Sequence, residues 1–308
     1  MLFNYQSLLV GVSLISQALS APILESRATA DAAAFPDLHR AAKLSSAAYT
    51  GCIGKAFDVT ITKRIYDLVT DTNGFVGYST EKKTIAVIMR GSTTITDFVN
   101  DIDIALITPE LSGVTFPSDV KIMRGVHRPW SAVHDTIITE VKALIAKYPD
   151  YTLEAVGHSL GGALTSIAHV ALAQNFPDKS LVSNALNAFP IGNQAWADFG
   201  TAQAGTFNRG NNVLDGVPNM YSSPLVNFKH YGTVSYPTDS PLDINVQSLI
   251  NHNHAQEYYS SGTEASTVKC EGQRDKSCSA GNGMYAVTPG HIASFGVVML
   301  TAGCGYLS

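Results

Sequence analysis

One serine stands in a sequence pattern that is typical of catalytic nucleophiles. Gly157-His158-Ser159-Leu160-Gly161 is a G-x-S-x-G pattern. In this pattern the glycines allow a sharp turn from a strand into a helix, which holds the serine hydroxyl out at the end of the strand. The N-terminus of the following helix also places partial positive charge near the serine. The pattern therefore predicts nucleophilic catalysis by Ser159, and a capping serine in a glycine-rich turn is the structural alternative.

The elements around this serine have the order that the turn requires. Residues 152–156 predict a strand ahead of Ser159, and residues 159–176 carry apolar side chains at helical spacing. Further strands are predicted at 74–78, 84–89 and 181–188, and further helices at 30–50, at 129–148 beginning with Pro129, and at 292–300. Strands alternating with helices predict an α/β fold with a mostly parallel central sheet covered by helices on both faces. No break in composition marks a boundary, so we expect one domain.

These sequences resemble the fungal class-3 lipases, a family that also contains fungal feruloyl esterases. The resemblance extends from about Leu38 to Cys304. It is carried by the motif around Ser159, by Arg90-Gly91-Ser92 after a predicted strand, and by Pro190-Ile191-Gly192-Asn193 after another. The resemblance implies an α/β-hydrolase fold and ester hydrolysis through an acyl-enzyme, with no metal and no organic cofactor.

The resemblance also implies which residues activate the serine. A serine hydroxyl is unreactive at neutral pH and needs a base and a residue that orients the base. In α/β-hydrolases the chain order is serine, then Asp or Glu, then histidine. Asp215 precedes Gly-Val-Pro as the family's aspartate does, and His291 stands in the family's His-x-x-x-Phe-Gly pattern. The competing residues are Asp198, Asp239, Asp243, His230, His252 and His254.

The oxyanion hole is expected on two backbone N–H groups. By resemblance these belong to Ser92, in the Arg-Gly-Ser segment, and to Leu160, directly after the nucleophile. The hydroxyl of Ser92 is a candidate third donor. Removing one such donor typically costs about 10²–10³ in turnover.

Residues 93–106 are expected to form a lid. The apolar residues at helical spacing are Ile95, Phe98, Val99 and Ile102. In the family a lid at this position covers the acyl groove, and an amphipathic lid exposes that groove at a lipid surface. The alternative is a surface helix packed permanently on the core. The apolar stripe favours acylglycerols as substrates, with transient contact with the lipid–water interface, over feruloylated sugars.

The leading functional hypothesis is therefore a triacylglycerol or mono/diacylglycerol lipase. The alternative enzyme is a feruloyl esterase or a short-chain carboxylesterase. A non-catalytic hydrolase-fold binding protein is a remote third alternative. That third class would be favoured by a missing triad residue, and none is missing.

The composition excludes other classes. Of the 308 residues only 15% are charged and 45% are hydrophobic, and the net charge is −5. Intrinsic disorder is excluded by this balance, and nucleic acid is not an expected partner. Residues 1–20, with an apolar run at 8–19, predict a secretory signal peptide rather than a transmembrane anchor, because a spanning helix needs about 20 apolar residues. Residues 21–27 are a candidate prosegment, and the catalytic domain is expected at 28–308.

The four cysteines agree with an extracellular location. An even number in a secreted chain predicts two disulfides with three possible connectivities, and free buried thiols are the alternative. No C-x-x-C spacing occurs, so zinc is not expected. The family resemblance implies the pairs Cys52–Cys304 and Cys270–Cys278.

Overall fold

A ten-stranded sheet organises the molecule. The computed structural model describes residues 28–94, 101–232 and 255–305. In these residues the strands are β1 Thr29–Ala30, β2 Lys55–Ala56, β3 Val59–Asp67, β4 Thr72–Ser79, β5 Thr84–Met89, β6 Leu106–Ile107, β7 Ile122–Met123, β8 Thr152–His158, β9 Leu181–Leu186, β10 Thr206–Asn212, β11 Ala255–Ser260, β12 Val268–Lys269, β13 Ala293–Ser294 and β14 Val297–Val298. The helices are α1 Phe35–Thr50, α2 Arg124–Lys147, α3 Leu160–Asn175 and α4 Gln194–Thr201.

The centre of this sheet is parallel and its edges are antiparallel. The strand order is β1-β12-β11-β10-β9-β8-β5-β4-β3-β2. The five strands β5, β8, β9, β10 and β11 run parallel to their neighbours within that group. Because the carboxyl ends of parallel strands share one edge, the loops after β5, β8, β9 and β10 meet there. The predicted mostly parallel sheet is confirmed.

Helices cover both faces of the sheet, as the residue alternation in β5 shows. Ile85, Val87 and Met89 join a large apolar cluster with α2, α3 and α4. Ala86 and Ile88 join a second cluster with α1 on the opposite face. A strand buried on both faces is apolar at every position rather than at every second one, which explains its continuous apolar sequence.

The long helix α2 begins earlier than its sequence predicts. The expected start at Pro129 is wrong, because the helix begins at Arg124 and Pro129 lies inside it. The N–H groups of Arg124 and Gly125 donate to the carbonyls of Ala105 (2.8 Å) and Asp103 (2.9 Å). These distant acceptors satisfy N–H groups that the first helical turn leaves unpaired. The extra turn is thus stabilised by tertiary contacts that the local sequence does not encode.

The predicted helix at 292–300 is also wrong. One 3₁₀ turn, Pro289–Ile292, leads into the short antiparallel pair β13 and β14. Phe295 and Gly296, with φ of +44° and +79°, form the turn between these strands. Positive φ at two successive residues reverses the chain and excludes a helix there. The side chain of Phe295 is fully buried in the α1 cluster, and this anchors the segment that follows His291.

Candidate active site

Ser159 occupies a strained turn between β8 and α3. Its backbone has φ +61° and ψ −124°, a region that non-glycine residues rarely adopt. The turn is held because the Ser159 N–H donates to the Leu186 carbonyl at 2.9 Å and the Ser159 carbonyl accepts from Ala163 at 3.0 Å. A Cβ on Gly157 would lie 2.1 Å from the Gly161 oxygen. The glycine positions of the motif are therefore dictated by backbone contact.

The turn brings Ser159 to the side chain of His291. His291 Nε2 lies 2.8 Å from Ser159 Oγ, and His291 Nδ1 lies 2.9 Å from Asp215 Oδ2. An ionised carboxylate only accepts hydrogen bonds, so Nδ1 carries the proton and Nε2 accepts from the serine hydroxyl. Ser159 is 1% exposed, and His291 and Asp215 are fully buried. This chain of hydrogen bonds can remove a proton from the hydroxyl as it attacks.

Asp215 is held by two further donors. Its Oδ1 accepts from the Val217 N–H at 2.9 Å, and its Oδ2 accepts from Asn187 Nδ2 at 2.7 Å. Asn187 Oδ1 in turn accepts from the Ser294 hydroxyl at 2.7 Å. Sequence reasoning missed Asn187. The available signal was its position directly after a buried parallel strand, at the edge where the other site loops meet.

The loop of Asp215 and the turn of His291 are also joined directly. Asn212 Nδ2 donates to the Gly290 carbonyl at 2.9 Å, and the Gly216 N–H donates to Thr288 Oγ1 at 3.2 Å. The Thr288 hydroxyl donates to the Leu214 carbonyl at 2.5 Å. These contacts keep the carboxylate and the imidazole in register although 76 residues separate them in sequence.

The segment that carries Ser92 lies against the nucleophile turn. A Cβ on Gly161 would be 2.2 Å from the Met89 carbonyl, and one on Gly91 would be 2.6 Å from the His158 carbonyl. The end of β5 is therefore in contact with the start of α3. Leu160 is the first residue of α3, where N–H groups have no acceptor within the helix. Such a position is suited to stabilise an oxyanion.

The competing residues have other surroundings. His230 is buried, and its Nε2 lies 2.6 Å from the Pro218 carbonyl. Burial, with Arg209 nearby, holds the pKa of His230 well below its usual range. Asp198 is exposed on α4, where Gln194 donates to it at 2.7 Å. Asp239, Asp243, His252 and His254 lie outside the described residues.

Of the four apolar residues predicted for the lid, Ile102 alone lies within the described part of the chain. Its side chain is partly buried against the α2 and α3 cluster. Ile95, Phe98 and Val99 lie outside the described residues. The segment after Ile102 is tied to α2, because Arg124 Nε donates to Asp103 Oδ2 at 2.6 Å.

Both disulfides are formed in the pairing that the family resemblance implies. Cys52 is bonded to Cys304, and Cys270 is bonded to Cys278. The first joins the end of α1 to the C-terminal segment, and the second closes a loop of eight positions that precedes His291 in sequence. Within the described ranges no cluster of His, Cys, Asp and Glu could hold a metal ion. In the same ranges, the helices are too short or too polar to cross a membrane.

Comparison with known proteins places this geometry in a family. The family model "Lipase (class 3)" matches residues 86–224. A secreted alkaline triacylglycerol lipase of Penicillium cyclopium is 92% identical over 308 residues, all of both chains. The crystal structure of a triacylglycerol lipase from Penicillium expansum has 91% identity and a TM-score of 0.82, covering 91% of this chain and all of that one.

A more distant structure shares the fold. The triacylglyceride lipase of Rhizomucor miehei superimposes with a TM-score of 0.73 at 22% identity, covering 90% of this chain and 99% of that one. The match over the whole length at 92% identity leaves no part of this chain without a counterpart in the Penicillium cyclopium protein. The chain therefore belongs to the class 3 lipases and is a secreted carboxylic ester hydrolase with an α/β-hydrolase fold.

Proposed function

We propose that the protein hydrolyses acylglycerols through an acyl-enzyme formed on Ser159. The observation that carries the proposal is the continuous hydrogen-bond chain from Ser159 Oγ through His291 to Asp215, at 2.8 and 2.9 Å. A nucleophile, a base and an orienting carboxylate in this order are what acyl transfer to serine requires.

The mechanism follows from the directions of these hydrogen bonds. His291 Nε2 removes the hydroxyl proton as Ser159 Oγ attacks the ester carbonyl, and Asp215 stabilises the imidazolium that forms. The N–H groups of Ser92 and Leu160 stabilise the oxyanion. His291 then protonates the leaving alcohol. A water molecule, deprotonated by the same histidine, releases the fatty acid and restores the free serine.

Acylglycerols are favoured as substrates over feruloylated sugars for two reasons. Both Penicillium proteins named above are described as triacylglycerol lipases. The lid segment also carries an apolar stripe with Phe98, and an apolar cover suits acyl chains better than sugars.

The surroundings of the site support contact with a lipid–water interface. Leu214 and Ile292, the neighbours of Asp215 and His291, are 60% and 53% exposed. Leu68 and Val69, in the turn between β3 and β4, are 88% and 78% exposed. Exposed large apolar side chains at the edge of the sheet that carries the buried serine fit an enzyme that docks on lipid before it opens.

Residues 93–106 act as the lid in this proposal, with their C-terminal end fixed. The Asp103–Arg124 ion pair and the bond from the Gly125 N–H to the Asp103 carbonyl, at 2.9 Å, hold that end against α2. A groove of about 280 Å³, lined by Val69, Ile102 and Pro129 among others, lies beside the fixed end. Opening is measurable as a rise in rate when tributyrin exceeds its solubility limit.

In the same proposal residues 1–20 are removed as a signal peptide, and residues 21–27 are a prosegment. Residues 28–308 then form one catalytic domain. The two disulfides suit the oxidising environment outside the cell.

The deciding experiment compares a variant of the nucleophile Ser159, just before α3, with a variant of Ser166, a serine within that helix. Ser159→Ala is expected to lower kcat on p-nitrophenyl butyrate and emulsified triolein by about 10⁴-fold or more. Ser166→Ala is the matched control, because Ser166 lies further along α3 and its hydroxyl donates to the Ala163 carbonyl at 2.6 Å. Diethyl p-nitrophenyl phosphate should label Ser159 in the parent protein.

Substrate range is measured on p-nitrophenyl esters from C2 to C16, triolein and methyl ferulate. Turnover of methyl ferulate without triolein hydrolysis would establish the feruloyl esterase alternative. Hydrolysis that survives Ser159→Ala would contradict the mechanism itself.

A further inference from the structure

A histidine next to the nucleophile has no part in the proton transfer described above. His158 is fully buried, and its Nε2 lies 2.9 Å from the backbone carbonyl of His291. The two imidazole rings are 4.8 Å apart, centroid to centroid, and are tilted by 35°. His158 is therefore in direct contact with the residue proposed as the base.

The hydroxyl of Tyr49 lies on the other nitrogen of His158. Tyr49, near the end of α1, places its hydroxyl 3.1 Å from His158 Nδ1. Gly91, next to Ser92, lies against the same hydroxyl. A Cβ on Gly91 would lie 1.9 Å from that oxygen, so only glycine leaves room for this contact. One tyrosine hydroxyl thus joins the oxyanion segment to the nucleophile turn.

The proton positions along this chain are determined by the acceptors at its ends. The His291 carbonyl can only accept, so His158 Nε2 carries its proton and Nδ1 has a lone pair. The Tyr49 hydroxyl, 3.1 Å away, must then donate to Nδ1. Burial, together with the proximity of His291, holds the pKa of His158 well below its usual range, so the ring is neutral. Burial likewise raises the pKa of Tyr49, so its proton is retained.

We infer that Tyr49 and His158 are positioning residues, which fix the backbone of His291 through a directed hydrogen-bond chain that starts at the Tyr49 hydroxyl. The inference rests on the proposed function, since it concerns the base of that reaction. Without the Tyr49 hydroxyl, His158 can adopt the other tautomer. Its unprotonated Nε2 would then face the His291 carbonyl and repel it, and His291 would be displaced from Ser159.

The charged and titratable groups around His158 are compatible with this role. They are Tyr49 from α1, Arg90 beside Tyr49, and His291, with Asp215 behind it. When His291 becomes an imidazolium during acylation, a neutral His158 adds no second positive charge at 4.8 Å. A protonated His158 would oppose that step by repulsion.

The test compares phenylalanine substitutions at two tyrosines whose hydroxyl groups each form a hydrogen bond. Tyr49→Phe is expected to lower kcat on soluble p-nitrophenyl butyrate about threefold to tenfold, the range expected for one hydrogen bond, with KM within about twofold. The matched control is Tyr231→Phe, because Tyr231 is buried in the core and donates to the Ser166 carbonyl at 3.0 Å. That change is expected to lower the unfolding midpoint while kcat stays constant.

A second pair addresses the histidine and guards against poor folding of Tyr49→Phe. His158→Gln keeps an N–H donor for the His291 carbonyl and should retain more activity than His158→Leu. His169→Gln is the control, since His169 is buried on α3 with Ser183 as its partner at 2.9 Å. Spectra of the ¹⁵N-histidine-labelled parent protein read the tautomer directly.

The expected spectrum shows His158 protonated at Nε2 in the parent protein and a mixture of tautomers in Tyr49→Phe. Protonation at Nδ1 in the parent protein would overturn the inference, as would equal kcat values for Tyr49→Phe and the parent protein. Failure of the proposed function looks different, because the parent protein itself would then show no hydrolysis that depends on Ser159.

Discussion

At the scale of single residues, the fully buried carboxylate of Asp215 accepts three hydrogen bonds. The donors are His291, Asn187 and the Val217 N–H. A hydrogen bond to a charged group is worth about 1.5–3 kcal/mol, and more is lost when a buried charge is left without its donor. Asn187 also adopts a positive φ of 52°, which asparagine tolerates better than most residues. The side-chain amide of Asn187 therefore helps to hold the carboxylate of Asp215 in position.

We predict that Asn187→Ala lowers kcat about tenfold to a hundredfold, with a small change in KM. The reason is that Asp215 Oδ2 loses its 2.7 Å donor and the carboxylate can turn away from His291. The measurement is steady-state hydrolysis of p-nitrophenyl butyrate. Asn184→Ala is the control, because Asn184 is a buried asparagine of β9 that bonds Asn208 at 2.9 Å. Equal kcat values for the two variants would remove Asn187 from the site.

At the scale of elements, the nucleophile turn is compressed between β5 and α3. Gly161 lies in the first turn of α3, where alanine would normally favour the helix by about 1 kcal/mol. Its Cβ would, however, meet the Met89 carbonyl at 2.2 Å and Arg90 C at 2.9 Å. Backbone atoms cannot rotate away as a side chain can, so the clash exceeds the gain in helix propensity.

Gly161→Ala should therefore lower the free energy of unfolding by about 1–3 kcal/mol, as overpacking does, and should also reduce activity per folded molecule. Urea unfolding and active-site titration with diethyl p-nitrophenyl phosphate measure the two effects. Gly54→Ala serves for comparison, because Gly54 has φ +76° but open space around its Cβ. That variant is expected to be destabilised with normal activity. An active, stable Gly161→Ala protein would refute the steric argument.

At the scale of the whole molecule, three histidines are buried in neutral form. Burial lowers the pKa of His169 to about 3 and holds the pKa values of His158 and His230 well below their usual range. In the unfolded chain each histidine titrates near pH 6.5. Between these pH values the unfolded state binds more protons than the folded state, so stability falls as pH decreases. Acidic media therefore destabilise the folded protein through these three histidines.

We predict that the free energy of unfolding decreases from about pH 6.5 downward, and that His169→Gln reduces this slope by up to about 1.4 kcal/mol per pH unit. Urea unfolding at pH 8 and at pH 4.5 measures it. At pH 8 the histidine is neutral in both states, so the difference between variant and parent there reports the lost packing alone. If the free energies of unfolding of variant and parent differ by the same amount at pH 4.5 as at pH 8, His169 does not contribute to the loss of stability in acid.

The local sequence was sufficient for those features that depend on neighbouring residues. The apolar run of β5, the periodicity of α3 and the glycines around Ser159 each predicted their element, because strand, helix and sharp turn are determined by side-chain spacing and backbone freedom. Asp215 and His291 were recognised through the resemblance to the class-3 lipase family, not through local spacing. β3 escaped recognition, because its exposed edge carries Lys63 and Arg64 among its apolar residues.

Only the tertiary structure decided which distant groups meet. Asn187 beside Asp215, and Tyr49 against His158, are contacts between loops and helices that the sheet brings to one edge. The extra turn of α2 likewise depends on the carbonyls of Asp103 and Ala105. Such hydrogen bonds join elements that lie far apart in sequence, 109 residues for Tyr49 and His158 and 133 residues for His158 and His291. No local periodicity carries that information, because it arises from packing.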